Sequence, residues 1–323
     1  MSKNRGSSRP IRRIIVYVKP NPYSRCGLRI LGLSTCATLL LALTSGTASA
    51  QKNAVPTLAD AVDWKVNTIS PVANPLHFED PIIRTELRPV FVYHNLHNGF
   101  ITGGGQAQLY ALQIRYAITD RLAFIATQDG YLDINSGVLG NPDGWMDLAA
   151  GFKYALIDDL ENQFILTPGF TYLIPSGDRR VFQGRGGGEF DLFVSAMKGF
   201  GDFHLTGNVG FRIPVVSAEN SSIFHTNLMA DYYVSRWFIP FVQMSTWTVV
   251  NAGNNIPGLT SEGYDIINFG AGSSQGLTQV TLGAGFRVRL TDHVDVGLAY
   301  EKAVATPQGL FDDRYTFDLS IRF

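Results

Sequence analysis

The residue types able to do chemistry are histidines, serines and charged pairs, and most of them sit where catalysis would fail. Gly272-Ser273-Ser274-Gln275-Gly276 has the G-x-S-x-G spacing of a nucleophile elbow. That motif works because a sharp strand-to-helix turn lifts the serine hydroxyl clear of the sheet. Here a glycine-rich loop leads into an alternating segment, and no helical pattern follows. His94 and His97 are three apart, which on a strand sends them to opposite faces, and no thiolate or acidic cluster joins them to make a metal site. Neither H-E-x-x-H nor a phosphate-cradling G-x-x-x-x-G-K-[ST] occurs. No metal and no cofactor is expected. What remains is charge. Arg88, Arg115, Lys153, Arg212, Arg287, Arg289 and Arg322 stand at polar positions of alternating segments, as do Glu86, Asp147, Asp191, Asp231, Asp295, Glu301 and Asp318. Facing one another, they would stiffen an enclosed space as a network, line a solute path, or both. Neutralising Arg287 and Arg289 is expected to leave acids such as Asp318 unpaired.

Strands must position these charges. From Thr85 onward the chain is a series of segments with apolar and polar residues in strict alternation, the period of a strand with two unlike faces. In 277–290, Val280, Leu282, Ala284, Phe286 and Val288 oppose Gln279, Thr281, Arg287 and Arg289; in 106–118, Tyr110, Leu112, Ile114 and Tyr116 oppose Gln113 and Arg115. The last stretch is cleanest: Tyr315, Phe317, Leu319, Ile321 and Phe323 share one face, and Arg314, Thr316, Asp318, Ser320 and Arg322 share the other. Twelve such segments are expected, near 85–94, 106–118, 122–133, 145–156, 163–173, 189–198, 203–214, 223–234, 237–250, 277–290, 294–304 and 314–323. The ninth alternates poorly, which predicts a bulge. Short turns follow the even-numbered segments and longer loops the odd-numbered ones, among them a loop at 175–188 with Arg179, Arg180, Arg185 and three consecutive glycines.

Composition bounds the rest. The chain has 323 residues, 12% of them aromatic and 16% charged, with 33 glycines, which suits many strands and turns. Its first 29 residues hold eight of the 26 Lys and Arg and no acid; an apolar run, Ile30 to Leu43, and Ala48-Ser49-Ala50 follow. That is the order of a secretion signal with a small-x-small cleavage site, so residues 1–50 are expected to be removed. The remainder carries 18 bases against 27 acids, about −9, which argues against a nucleic-acid partner. Both cysteines, Cys26 and Cys36, lie in the leader, so the mature chain has no disulfide. Residues 51–81 hold Pro56, Pro71, Pro75 and Pro81 without clean alternation, and are expected to be a periplasmic segment or a plug ahead of a barrel at 82–323.

The closing strand, with its terminal Phe323, resembles the assembly signal of bacterial outer-membrane β-barrels. An even number of long strands with alternating turn lengths is the layout of such barrels, and strands this long are unusual in the soluble β-sandwich or lipocalin-like barrel that is the alternative. The expected fold is all-β: a transmembrane, antiparallel, up-and-down barrel of about twelve strands. Tyr116-Ala117-Ile118-Thr119-Asp120-Arg121-Leu122, and more weakly Leu290-Thr291-Asp292-His293-Val294, resemble turns of the outer-membrane barrels named for the meta-pathway of phenol degradation. The resemblance implies a passive channel or transporter for small solutes. It also implies the partners: outer-membrane lipid and lipopolysaccharide, and the barrel-assembly machinery. The rival classes are a lipid hydrolase and a structural barrel without a pore. Outer-membrane phospholipases and lipid A deacylases place a His two residues before a Ser; here His204 precedes Thr206 and His225 precedes Asn227.

Overall fold

The computed structural model describes residues 64–305 and 309–323. The leader, its cleavage site and residues 51–63 lie outside that range. Strands β1 (Glu86–Leu96) and β2 (Gly105–Ala117) are followed by β3, which runs Leu122–Gln128 and resumes at Tyr131–Ser136, and by β4, Asp143–Trp145 and Leu148–Tyr154. Then come β5 (Phe164–Ile174), β6 (Glu189–Phe200), β7 (Phe203–Pro214), β8 (Ser222–Tyr232), β9 (Ile239–Asn251), β10 (Thr278–Arg289), β11 (Val294–Ala303) and β12 (Phe311–Arg322). Each pairs antiparallel with its sequence neighbours, and β1 pairs with both β2 and β12, so the twelve-stranded sheet closes on itself. A short strand, Ile157–Asp159, extends the β4–β5 hairpin.

Closure removes every edge, which hydrocarbon demands because it offers no partner to an unpaired amide. The outer face is what lipid would contact. Tyr110, Leu112, Ile114 and Tyr116 on β2, Leu282 on β10 and Tyr315 and Phe317 on β12 are all exposed. Tyr154, Phe200, Phe203, Tyr232, Trp237 and Phe323 gather at the short-turn end; Tyr131–Trp145, Tyr172–Phe190 and Tyr300–Tyr315 ring pairs stand toward the other. A continuous apolar surface of this extent between aromatic girdles belongs in a bilayer.

The turns have a local cause. In Ile118 to Leu122, the Thr119 hydroxyl accepts from the amides of Arg121 and Leu122 at 3.2 and 3.0 Å, a turn that threonine makes with its own side chain. Thr291 does the same for His293, at 3.2 Å. The bulge expected in the ninth strand lies at its far end, where Ser222 faces Asn251 but Ile223 faces Val249, leaving Val250 without an opposite. Its poor alternation has another source. Ile239, Phe241, Trp247 and Val249 point inward and are buried, because protein and not water fills the space beside them. The break in β3 was not legible. Gly130 adopts φ 114°, and a Cβ there would stand 2.3 Å from the Tyr110 carbonyl oxygen.

Candidate functional site

The interior is full. Residues 64–85 enter as a short 3-10 turn, Trp64–Asn67, and run inside the barrel to the start of β1, bending at a turn where the Phe78 amide donates to the Asn74 carbonyl at 3.2 Å. With Pro71, Pro75 and Pro81 in its path this inner segment cannot pair as a strand, so its carbonyls need other donors. Wall side chains supply them from around the ring. Arg289 serves Val66 and Thr68, Arg287 serves Ser70 at 2.9 Å, and Arg88 serves Pro71. Gln243 reaches Ala73, Gln113 reaches Pro75 at 2.7 Å and Asn227 reaches His77 at 2.9 Å. Ser195, Lys153 and Thr167 take Glu79, Asp80 and Pro81 at 2.6, 2.8 and 2.7 Å. Between these bonds Val72, Ala73 and Phe78 pack on Met229, Ile239, Phe241 and Ala299.

One inner carboxylate is the focus of the cationic wall. Glu79 lies 2.6 Å from Arg115 and 2.7 Å from Lys153. Burial alone would raise its pKa, but the charges of Arg115 and Lys153 win and hold it at about 2. Asp80 pairs with Arg84, which also holds Glu86 at 2.9 Å. His77 is pushed below the ordinary imidazole range by burial and by the nearby Arg212 charge.

The β9–β10 connection fills the other half. Tyr264, Ile266, Ile267 and Phe269 are buried; the last three join Val90, Val92, Leu109, Leu132 and Ile134, which face inward from the wall. Asp265 of this loop pairs with Arg314, and the Tyr264 carbonyl accepts from Arg212. Glu262 accepts from Ser221 at 2.8 Å and from the Gly263 and Ala271 amides at 2.9 and 3.0 Å, although burial pushes its pKa up. Tyr264 is pushed up to about 12, first by burial.

The residues singled out by charge and alternation are all inside, and they face protein. Arg88 and Arg287 share Asp318, at 2.6 and 2.8 Å; Arg289 and Arg322 share Asp295, at 3.1 and 2.9 Å, the Arg322 end being partly exposed. Glu301 pairs with Arg314 at 3.0 Å and accepts the Asn74 amide at 3.0 Å. Arg212 pairs with Glu189, Asp231 with His204 at 2.8 Å. Asp147 takes no cation; it accepts the Gly177 and Gly184 amides at 2.7 and 2.8 Å and so anchors the 175–188 loop. One expectation is corrected by this arrangement: Asp318 would keep Arg88 if Arg287 were neutralised. Part of the inner wall is apolar, where the inward loop covers it.

Alternation missed Glu79, Asp80, Asp265 and His77, which lie on segments without period; it put Arg314 on the polar face of the closing strand, but neither Arg314 nor Glu189 was counted among the facing charges. It also missed a meeting of three distant residues. His77 of the inner segment, Asp191 of β6 and His225 of β8 bring one ligand atom each to within 4.8 Å of one another. The Ser274 hydroxyl of the G-x-S-x-G stretch is buried and donates to the Ala271 carbonyl at 2.7 Å, a turn bond. His94 is buried against the Phe311 ring, and His97 lies in the following loop.

At the long-loop end a cavity of about 870 Å³ is lined by Arg179, Arg185, Glu219, Asn254, Asn255 and the glycines 184, 186 and 187. Deeper among the described residues lie small voids of about 20 Å³ beside Arg185 and Arg212 and about 10 Å³ beside His77 and Asp191.

No family model matches the chain, and no curated protein does. Among solved structures it is similar to an outer-membrane channel from Pseudomonas putida F1, with 17% identity and a TM-score of 0.53 over 79% of this chain and 100% of that one. It is also similar to the NanC porin, with 11% identity and a TM-score of 0.49 over 74% of this chain and 100% of that one. The first of these likenesses establishes a shared fold: the closed antiparallel barrel of an outer-membrane protein.

Proposed function

We propose that the chain is an outer-membrane channel for small solutes, kept shut by its own inner segment. The observation that carries this reading is how that segment is held. Over its described length, 64–85, it runs into the barrel at β1 and is otherwise bonded by side chains of the wall. Eight-stranded barrels are filled by side chains of their own strands. Here the filling is a separate strip of chain on a ring of polar donors, which water and solute can replace once the strip leaves. The P. putida protein is described as a channel, which agrees. The inward 252–277 loop covers part of the outer half and caps how far the conductance rises when the segment leaves.

The reading includes the rest of the layout. The leader directs export and is cut near Gln51, the closing strand is recognised by the assembly machinery, and the outer belt meets lipid and lipopolysaccharide. The turn at Tyr116–Leu122 supports a kinship with the meta-pathway-like barrels. Recording in planar bilayers tests the proposal. Wild type should give small, intermittent currents of weak selectivity. Deleting residues 51–81 should raise conductance several-fold and tilt it toward anions, because both carboxylates beside Lys153 belong to the inner segment. Equal currents from the two proteins would sink the proposal.

A further inference from the structure

We propose that His77, Asp191 and His225 form a binding site for a divalent transition metal of the zinc class, which fastens the inner segment to the barrel wall. The proposal concerns metal binding and stands or falls apart from conduction.

The argument starts from a shortage of protons. His77 Nε2 lies 3.1 Å from the Asp265 carbonyl oxygen and Nδ1 lies 3.2 Å from Asp191 Oδ2. Both partners are acceptors, and a neutral imidazole has one N–H to give. Either His77 carries a second proton, as a buried cation near Arg212, or something else positive sits between Nδ1 and the carboxylate. A metal ion fits the second case. The Asp265 carbonyl then holds the Nε2 proton and fixes the tautomer that offers Nδ1 as a ligand, the usual support of a metal-bound histidine.

The spacing suits it. His225 Nε2 is 2.9 Å from Asp191 Oδ1. Four ligands at about 2.0–2.1 Å from a tetrahedral zinc stand roughly 3.3–3.4 Å apart; both imidazoles already stand near that distance from Asp191, and the two ring nitrogens, within 4.8 Å of each other, draw together on binding. The void of about 10 Å³ bordered by His77 and Asp191 is at the threshold for one water, the fourth ligand. Asp191 also differs from Glu79, Glu301 and Asp318, each of which meets an arginine; its partners are the two imidazoles. On binding, His225 must carry its proton on Nδ1 and leave Nε2 free for the metal, and the Asn227 amide, 3.4 Å from Nδ1, must give way.

The test uses the full mature protein in detergent, stripped with a chelator and titrated with Zn²⁺ by calorimetry. One saturable site is expected. His77→Gln and His225→Gln should each weaken it at least tenfold, and His204→Gln, at a histidine paired elsewhere, should not. Co²⁺ on the unmutated protein should give the visible absorption of a four-coordinate site, a readout that needs no variant. Absence of saturable Zn²⁺ binding, a six-coordinate Co²⁺ spectrum, or binding unchanged when His77→Gln and His225→Gln are combined would overturn the proposal. Bilayer recording adds a separate arm. Zn²⁺ should reduce openings of the wild type and leave the 51–81 deletion unaffected, whereas Zn²⁺ that binds a wild type with no current would leave the metal site standing and remove the channel.

Discussion

At the scale of single residues, Glu79 decides how firmly the inner segment sits. It is buried between two cations, and removing it leaves Arg115 and Lys153 with only their longer pairs, to Glu86 at 3.3 Å and Asp80 at 3.5 Å. Losing one partner of a buried pair costs about 3–5 kcal/mol, so Glu79→Ala should release the segment and raise open probability at neutral pH. The same group gives the channel a pH dependence. The seated carboxyl titrates at about 2, below the 4.5 of a free glutamate, so its contribution to seating is complete above pH about 4.5 and is lost as pH falls toward 2. Wild-type currents should rise as both compartments are acidified from pH 5 to 3. Glu79→Gln should already be open at pH 7 and lose most of that rise; a variant that kept the full acid response would assign it to another group. None of this was legible from alternation, because Glu79 follows a run of prolines with no period. What the pattern placed correctly were residues on strands, Arg88, Arg287 and Asp318 among them, whose inward direction follows from parity alone.

Elements carry the two-faced logic of the wall. On β10, Leu282 is half exposed on the outer face and Thr281 is buried within. Leu282→Arg puts a charge into the hydrocarbon at about 2–4 kcal/mol, and should impair assembly, seen as loss of the compact band on unheated gels. Thr281→Arg points the other way. In a water-filled lumen it would be harmless, but the interior here is packed, so it should leave assembly intact and push the inner segment aside, giving larger currents. If both variants fail to assemble, the face assignment of β10 is wrong. Strands were readable because lipid outside and charges inside imposed a period of two. The ninth strand was harder, since Trp247 and Phe241 turn apolar side chains toward the inner segment and loop, making both its faces greasy. Loops were harder still. Ile266, Ile267 and Phe269 look like an unremarkable apolar patch in a long connection, and only the space they fill explains them.

For the whole molecule, closure and filling are separable events. Barrel strands pair with sequence neighbours, and the β1–β12 seam shuts the ring. The inner segment instead reaches partners far along the chain, as Ser70 does with Arg287 across 217 residues and Asn74 with Glu301 across 227. Contacts that span so much chain come slowly, because each must overcome the entropy of closing a long loop. Those to β10 and β11 cannot exist until the last third of the wall is in place. Every newly made barrel therefore passes through a leaky adolescence, shut as a ring but hollow, before the segment settles. Protein refolded into vesicles should release a trapped dye quickly at first, with permeability then decaying to a low plateau while strand content stays constant. A cell making this protein in quantity would feel the length of that interval more than the conductance of the finished channel.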